Sequence, residues 1–253
     1  MKLRTLAATR YVTPLREGGS LPAIVEAEDD GLYVMKFRGA GQGPKVLVAE
    51  VIAGLLGKAL GFRVPELVAL ELDAQFHKTE PDDEIRDLLR ASVGLNLGMD
   101  YLPRSVTFDP AAGAAPDAKR ASETVWFDAL ISNVDRSPRN PNLLEWHGGL
   151  WLIDHGASLY FHHADEDFVP RAHEPFAPIR MHVLLPWASA LREADARLRP
   201  LLTRELIEKT VAAVPLEWLP EERREAYVRY FEARREGADH FLEEAVRAHA
   251  RSV

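Results

Sequence analysis

The order of strand-like and helix-like segments does most to narrow the folds open to this chain. Runs typical of strands lie before and after a first helix, at residues 9–16, 22–28, 32–38, 67–72 and 95–102. The helix has Pro44 in its first turn and Gly61 just past its end, positions that these two residues favour. Three strands before the first helix contradict the strand–helix alternation of a dinucleotide-binding fold and predict a mainly antiparallel sheet.

The second half of the chain changes character. Residues 122–133 have helical spacing, the strand-like runs 142–146 and 150–153 flank a His-Gly-Gly turn, and most of the remainder is helical. We therefore expect an α+β chain of two lobes. Residues 1–103 would form a small lobe of mainly antiparallel strands with one helix, and residues 104–253 would form a mainly helical lobe. The charged segment 74–92 of the small lobe is expected to form a surface turn and a short helix.

Composition excludes several classes of protein. The 253 residues contain no cysteine, which rules out disulfides and thiol catalysis. The net charge of -8 argues against non-specific binding to nucleic acids or anionic membranes, because both need a positive field. No window approaches the roughly 18 continuous apolar residues of a membrane helix, and the N-terminus lacks a signal-peptide run. We expect a soluble, cytoplasmic protein without a membrane span or a specific nucleic-acid partner.

Three polar residues between the first long helix of the second half and residue 156 form a spaced pattern. Asp135 precedes Asn140 by five residues, and Asp154 follows the predicted hairpin, two residues before Gly156. Phosphoryl transfer uses one carboxylate to orient the attacking hydroxyl, and an amide oxygen with a second carboxylate to hold magnesium. Each piece alone is common in turns, but the ordered set favours phosphoryl transfer.

Lys36 and Glu50 supply two further charges in apolar surroundings. Lys36 lies in an otherwise apolar strand, and Glu50 shares a helix face with small and apolar residues. A charge on such a face is costly unless it is paired, so we expect the two to pair with each other and Lys36 to contact a phosphate. The alternative is that Lys36 faces solvent and Glu50 pairs with Lys45 or Lys58.

Together these segments resemble the HipA-like kinase family and echo the phosphoinositide-kinase pattern, most clearly at residues 33–66 and 126–156. The resemblance implies a two-lobed, protein-kinase-like fold and an ATP-dependent kinase that uses Mg²⁺ and a hydroxyl acceptor. It assigns Asp135 as the catalytic carboxylate, Asn140 and Asp154 as metal ligands, Lys36 as the phosphate-contacting lysine and Glu50 as its helix partner. The remaining nucleotide-binding residues would be a glycine turn over the phosphates and a hinge beside the adenine: Gly18, Gly19, Ser20, Met99, Asp100, Tyr101 and Leu102.

Two positions depart from the related pattern. Ser137 stands where the pattern has a histidine after Asp-Arg, which leaves open which group supports the catalytic loop. His155 follows the metal-binding Asp in place of a phenylalanine, which weakens any transfer of phenylalanine-based switching to this chain. Arg136 and Arg139 are expected to meet phosphate or acidic substrate groups, or to pair with nearby acids.

Other features leave alternatives open. The glycine-rich loop 39–43 could hold a phosphate at the start of the helix, although it lacks the dinucleotide spacing. Four histidines in and just after the long loop at about residues 160–180 could bind zinc, although they lack tight ligand spacing: His162, His163, His173 and His182. Three functions remain open, namely a kinase of protein Ser/Thr, a kinase of small molecules or lipid headgroups, and a nucleotide-binding pseudokinase or regulator.

Overall fold

The computed structural model describes residues 1–15, 21–41, 43–111, 115–164 and 167–252. Its N-terminal part contains the strands β1 (Arg4–Pro14), β2 (Ala23–Ala27), β3 (Leu32–Lys36), β4 (Leu67–Leu72) and β5 (Gly94–Asp100), with the helices α1 (Pro44–Ala59) and α2 (Asp83–Ala91). The five strands close into a barrel in the order β1-β2-β3-β5-β4. The pairs are antiparallel except for β1 with β4, which are parallel and close the barrel.

Alternation along β3 separates the barrel interior from the cleft. Tyr33 and Met35 are buried in the barrel core, whereas Val34 and Lys36 line a cleft outside it. This is the period-two pattern of a strand, in which successive side chains point to opposite faces. The lysine of this strand is therefore presented to the cleft because the apolar residues on either side of it occupy the barrel.

Helix α1 lies between the barrel and the helical part of the chain. It begins at Pro44 after Gly43 with φ +73° and ends before Gly61 with φ +91°, as the sequence predicts. Its inner surface is so closely packed that a Cβ on Gly57 would lie 3.2 Å from Phe127. Because the helix is covered on both sides, it is apolar over most of its circumference and holds Glu50 in a buried position.

The second part of the chain is mainly helical around a small antiparallel sheet. The sheet contains β6 (Val106–Thr107), β7 (Leu143–Trp146) and β8 (Gly149–Leu152), and the helices are α3 (Ala118–Leu130), α4 (Leu191–Leu198), α5 (Arg204–Ala212), α6 (Glu221–Glu236) and α7 (Ala238–His249). Between β8 and α4 the chain runs through short 3₁₀ turns at Tyr160–His163, Val169–His173, Ala177–Met181 and Leu185–Trp187. In the described ranges, no helix is both long and apolar enough to cross a membrane.

Two details differ from the expected elements, because the sheet closes on itself and the two-residue strand β6 was not predicted. Barrel closure and β6 both depend on pairing between residues far apart in sequence, which local patterns do not report. Helix α2 is the short helix expected in the charged segment 74–92. Helix α2 has a recognisable start, because the Asp82 carboxylate accepts hydrogen bonds from the amides of Glu84 and Ile85.

Candidate active site

The ammonium group of Lys36 joins two carboxylates at the base of the cleft. Its Nζ lies 2.8 Å from Oε2 of Glu50 and 2.6 Å from Oδ1 of Asp154. Lys36 and Glu50 are buried, whereas the Asp154 side chain is 47% exposed. The predicted contact between Lys36 and Glu50 is therefore present, and Asp154, 118 residues away in sequence, joins it.

Electrostatics keep this group of side chains charged. Burial favours the neutral form of Lys36, but the carboxylates of Glu50 and Asp154 outweigh it and hold the lysine pKa above its usual value. Burial also favours neutral Glu50, but the Lys36 charge holds the pKa of that carboxyl well below its usual range. The result is a charged Lys36 held by two carboxylates, of which the exposed one, that of Asp154, lines the cleft.

Backbone geometry after β8 brings Asp154 to this point. Asp154 has φ +52°, which is uncommon for a residue other than glycine. Gly156 then passes close to α1, where a Cβ would lie 2.7 Å from Cγ1 of Val46 and 3.4 Å from Oε2 of Glu50. His155 is buried beneath the same helix, with Nδ1 3.8 Å from Oε1 of Glu50. A glycine two residues after Asp154 is thus required by the close approach of α1.

Asp135 lies in the loop after α3 and is held by two asparagines. Nδ2 of Asn140 donates to Oδ2 of Asp135 at 2.8 Å, and Nδ2 of Asn142 donates to the Asp135 carbonyl at 2.6 Å. Burial raises the pKa of Asp135, and the nearby carboxylate of Asp154 raises it further. A carboxyl with a raised pKa is better suited to accept a proton than an ordinary exposed aspartate.

Ser137 occupies the position of the missing histidine and closes a tight turn. The amides and carbonyls of Ser137 and Asn140 are paired at 3.0 and 3.1 Å, and Oγ of Ser137 also accepts from the Asn140 amide at 3.3 Å. This turn places Pro138 and Arg139 at its tip. The loop is therefore shaped locally by a turn, without the histidine of the related pattern.

Asn140 and Asp154 present a donor set that suits a divalent cation. Because Nδ2 of Asn140 donates to Asp135, its Oδ1 is the atom left to face a ligand. Both side chains line the same cleft, and Mg²⁺ typically takes one or two protein oxygens and completes its shell with water and phosphate. The described residues contain no group of three or more acidic or histidine side chains arranged for a metal.

A buried network beneath the loop was missed by sequence reasoning. Asp128 is fully buried and accepts hydrogen bonds from Arg136, from Nε2 of His182 at 2.8 Å and from Nδ2 of Asn133 at 3.2 Å. Burial favours neutral Asp128, but the charge of Arg136 holds its pKa well below the usual range. An aspartate in the apolar interior of a predicted helix was the available signal, since such a charge needs a partner.

Arg136 connects this network to both halves of the site. Its guanidinium also donates to the carbonyl oxygens of Asn142 and Ile153, which lie directly beside Leu143 at the start of β7 and Asp154 after β8. Arg136 is buried, so it does not meet substrate phosphate. Of the two arginines considered for that role, Arg139 is the one that lines the cleft.

The cleft itself has a volume of about 1030 Å³. The four residues predicted as the hinge line it, at the end of β5 and just after it: Met99, Asp100, Tyr101 and Leu102. The amides of Asp100 and Tyr101 donate to the carbonyls of Glu66 and Leu32 at 2.8 and 2.9 Å, whereas the Leu102 amide has no backbone acceptor in the described chain. The Leu102 amide is therefore the donor that remains for a ligand edge.

Other predicted or alternative site residues lie elsewhere. Gly18, Gly19 and Ser20 fall outside the described residues. In the 39–43 loop, the amides of Gly39, Ala40 and Gly43 already donate to Ser92, Phe37 and Ala40, and Gln42 is outside the described residues. The loop histidines do not converge on one point, since His162 pairs with Tyr227 and His163, and His182 with Asp128.

Three features together define the kinase class. They are a five-stranded N-terminal part, a helical C-terminal part, and a lysine–carboxylate cluster in the cleft between them. Solved structures share this fold at low identity. A proinflammatory kinase of Helicobacter pylori, CtkA, matches with a TM-score of 0.58 and 14% identity over 98% of this chain and 99% of that chain. The Golgi casein kinase with Mn/ADP bound matches with a TM-score of 0.52 and 12% identity over 96% of this chain and 73% of that chain.

The family model described as HipA-like kinase matches residues 9–244. The chain therefore belongs to the HipA-like kinase family, and the predicted fold class, family and kinase activity are confirmed. A comparison with curated protein sequences finds no match. The solved structures, at these identities, establish the fold, and the family establishes the class of enzyme.

Proposed function

We propose that the protein transfers the γ-phosphoryl group of ATP to a hydroxyl acceptor in the cleft lined by Lys36 and Asp154. The observation that carries this proposal is the ion cluster of Lys36, Glu50 and Asp154, which keeps a charged lysine in place at the base of the cleft. The proposal is also supported by Asp135, which lies in the adjoining loop and whose pKa is raised by the negative charge of Asp154 as well as by burial. We also propose that residues 1–103 form the nucleotide-binding lobe and residues 104–253 the catalytic lobe.

Each side chain has a defined task in this reaction. Lys36 offsets negative charge on the nucleotide phosphates, and Glu50 positions the ammonium group of Lys36 through their ion pair. The Leu102 amide and neighbouring hinge residues meet the adenine edge. Gly18, Gly19 and Ser20 are proposed to cover the phosphates.

Asp135 acts on the acceptor. Its carboxylate accepts a hydrogen bond from the acceptor hydroxyl, directs that oxygen at the γ-phosphorus and takes the proton as the bond to phosphorus forms. The bond between the γ-phosphorus and the β,γ-bridging oxygen breaks, and ADP leaves. Asn140 and Asn142 restrict the Asp135 carboxyl to one orientation through their hydrogen bonds.

The side chains that would hold Mg²⁺ are Asn140, through Oδ1, and Asp154, through its carboxylate. When bound, the ion neutralises charge on the β- and γ-phosphates. Asp154 carries the contact with Lys36 on Oδ1, so its second oxygen is available for a cation. Support for a divalent cation comes also from the similar Golgi casein kinase, solved with Mn/ADP.

A protein serine or threonine is the proposed acceptor. The name of the Golgi casein kinase denotes a protein substrate, and HipA-like family membership agrees with a protein acceptor. A small hydroxyl compound or a lipid headgroup is the competing acceptor, and a pseudokinase would transfer to none.

Transfer of label from γ-labelled ATP tests the proposal. The protein is incubated with Mg²⁺ and with casein and histone, and in parallel with phosphoinositides and small alcohols, with Asp135→Asn as the background control. Label on protein serine or threonine that the control lacks supports the proposal. Label confined to a lipid or small alcohol overturns the acceptor assignment. Equal label with the wild-type protein and the control overturns the role of Asp135.

A further inference from the structure

A second cavity, of about 640 Å³, lies on the other side of the small sheet from the cleft. Thr107 and its paired residue Leu144 line the cleft, whereas Val106 and its paired residue Glu145 line the second cavity. Successive residues of a strand point to opposite faces, so the two cavities lie on opposite faces of β6. We call the second cavity the rear groove, and its walls include Arg63, Arg104, Arg120, Trp146 and Gly149.

Three arginines from separate segments converge on the rear groove. Arg63 lies between α1 and β4, Arg104 between β5 and β6, and Arg120 in the first turn of α3. Arg120 is near Glu123 at 3.4 Å, but within the described ranges Arg63 and Arg104 have no ion-pair partner. The whole chain carries a net charge of -8, so this groove is a local positive region on an acidic protein.

Hydrogen bonds hold the backbone at or beside the two arginines without partners, and the Leu152 amide donates to the Arg63 carbonyl at 2.9 Å. The Arg63 guanidinium lies directly over Gly149, where a Cβ would come within 1.2 Å of Nη1, so only glycine leaves room for it. Arg104 has φ +62°, and the turn that carries it is held by the Trp146 indole, which donates to the Pro103 carbonyl at 2.9 Å. The backbone that carries each arginine is therefore held at the edge of the groove, and both side chains are exposed to a ligand there.

The rear groove continues into a neighbouring cavity. That cavity, of about 230 Å³, shares Asp117 and Arg120 with the groove and adds Lys119, Glu123 and Arg197. Val106, 59% exposed, supplies an apolar wall. A site for a small molecule encloses most of its ligand, whereas a groove that continues into a neighbouring cavity suits an extended chain.

Two acidic side chains also line the groove. The Asp117 carboxylate is occupied as the cap of α3, because it accepts from the amides of Lys119 and Arg120 at 3.4 and 3.2 Å. Glu145 lies on the exposed face of β7. The basic side chains outnumber these acids, so the groove keeps an excess of hydrogen-bond donors that carry positive charge.

We propose that the rear groove binds an extended, Asp- and Glu-rich segment of a partner protein. The carboxylates of that segment would take bidentate hydrogen bonds from Arg63 and Arg104, and apolar residues beside them would pack on Val106. This binding site goes beyond the proposed phosphoryl transfer, since it uses no residue of the cleft. The acidic character of the remaining surface repels such a segment elsewhere and so directs it to the groove.

The test uses the full chain and a fluorescein-labelled peptide of about ten residues, mostly Glu and Asp, whose extended length is about 35 Å. A peptide with Gln and Asn in place of Glu and Asp is the neutral reference. Anisotropy is measured at about 50 mM salt with the wild-type protein, with Arg63→Gln/Arg104→Gln, and with the charge-matched control Arg229→Gln/Arg251→Gln. Arg229 and Arg251 are exposed and lie outside the groove.

We expect the groove variant to bind the acidic peptide about tenfold more weakly or worse, because one hydrogen bond to a charged group is worth about a factor of ten. The control variant should stay within about twofold, since remote charges are screened. Hydrogen exchange should show peptide-dependent protection at residues 145–150. Equal weakening in both variants, no preference for the acidic peptide, or protection confined to other regions overturns the proposal. If the double variant does not fold, Arg104→Gln alone gives the same comparison against Arg229→Gln.

Discussion

Replacing Asp128 by Asn removes one negative charge beneath the catalytic loop while keeping side-chain size. Asp128 accepts from three donors, namely Arg136, His182 and Asn133. The Leu184 amide donates to Nδ1 of His182, so Nε2 of His182 is the protonated atom facing Asp128. An asparagine offers one oxygen, and its NH₂ group would face a donor. The substitution therefore loses the charge and also places two donors against each other.

The expected cost follows from burial of both partners. Removing one member of a buried pair typically costs about 3–5 kcal/mol, because the other charge remains without compensation. Arg136 keeps its hydrogen bonds to the Asn142 and Ile153 carbonyls, so we expect the lower end, about 3 kcal/mol. For a chain of this size that corresponds to a fall of about 6–12 °C in melting temperature.

The control variant is Glu123→Gln. Glu123 is also buried, but its partners Arg120 and Arg197 have side chains that are 40% and 38% exposed. Water can solvate these two exposed guanidinium groups when the Glu123 charge is removed, so we expect the free energy of unfolding to fall by about 1 kcal/mol or less. Urea unfolding of wild type and both variants, followed by circular dichroism, measures the difference. A cost for Asp128→Asn no larger than that for Glu123→Gln would refute the reasoning.

The pH dependence gives an independent check. The pKa of Asp128 is lower in the folded protein than in the unfolded chain, so its contribution is present above the unfolded pKa of about 3.9 and is lost as pH falls below it. The gap in unfolding free energy between wild type and Asp128→Asn should therefore be constant near neutral pH and shrink below about pH 4. A gap that stays constant down to pH 2–3, roughly, contradicts a charged Asp128.

Three further predictions concern the cleft. Asp135→Asn should lower turnover about 10²-fold or more. The melting temperature should stay equal or rise slightly at neutral pH, because the raised pKa of Asp135 means that the fold disfavours the charged carboxylate. A less stable variant with a normal single-turnover rate contradicts the catalytic role. Lys36→Met should fold yet lose most phosphoryl transfer, and near-normal turnover in a labelled-ATP assay would defeat the assignment. Asp154→Ala should weaken ATP binding in the presence of Mg²⁺ more than in its absence, and equal calorimetric affinities for a folded variant and wild type would count against Asp154 as a ligand.

Much of the fold was predictable because the signals are local. Helix α1 starts and ends where Pro44 and Gly61 indicate, and the predicted strand 67–72 matches β4. The spacing of Asp135 and Asn140 within one short loop, and the position of Asp154 after a hairpin, are also local properties. Lys36 and Glu50 were predicted as a pair because each is a charge on an apolar face, and burial leaves such a charge few alternatives to a partner.

Other features exist only in the folded chain, because they join residues that no local pattern connects. His182 is 54 residues from Asp128, and the parallel pairing of β1 with β4 closes the barrel across more than sixty residues. Ser137 stands at the position of the histidine in the related pattern, and its hydrogen bonds with Asn140 form a turn that the sequence does not predict. Likewise no local pattern connects Arg63 with Arg104, and their shared groove arises from packing of the α1–β4 connection against β8. Local spacing encodes the elements and their chemistry, whereas the partners of buried charges are chosen by which surfaces meet when those elements pack.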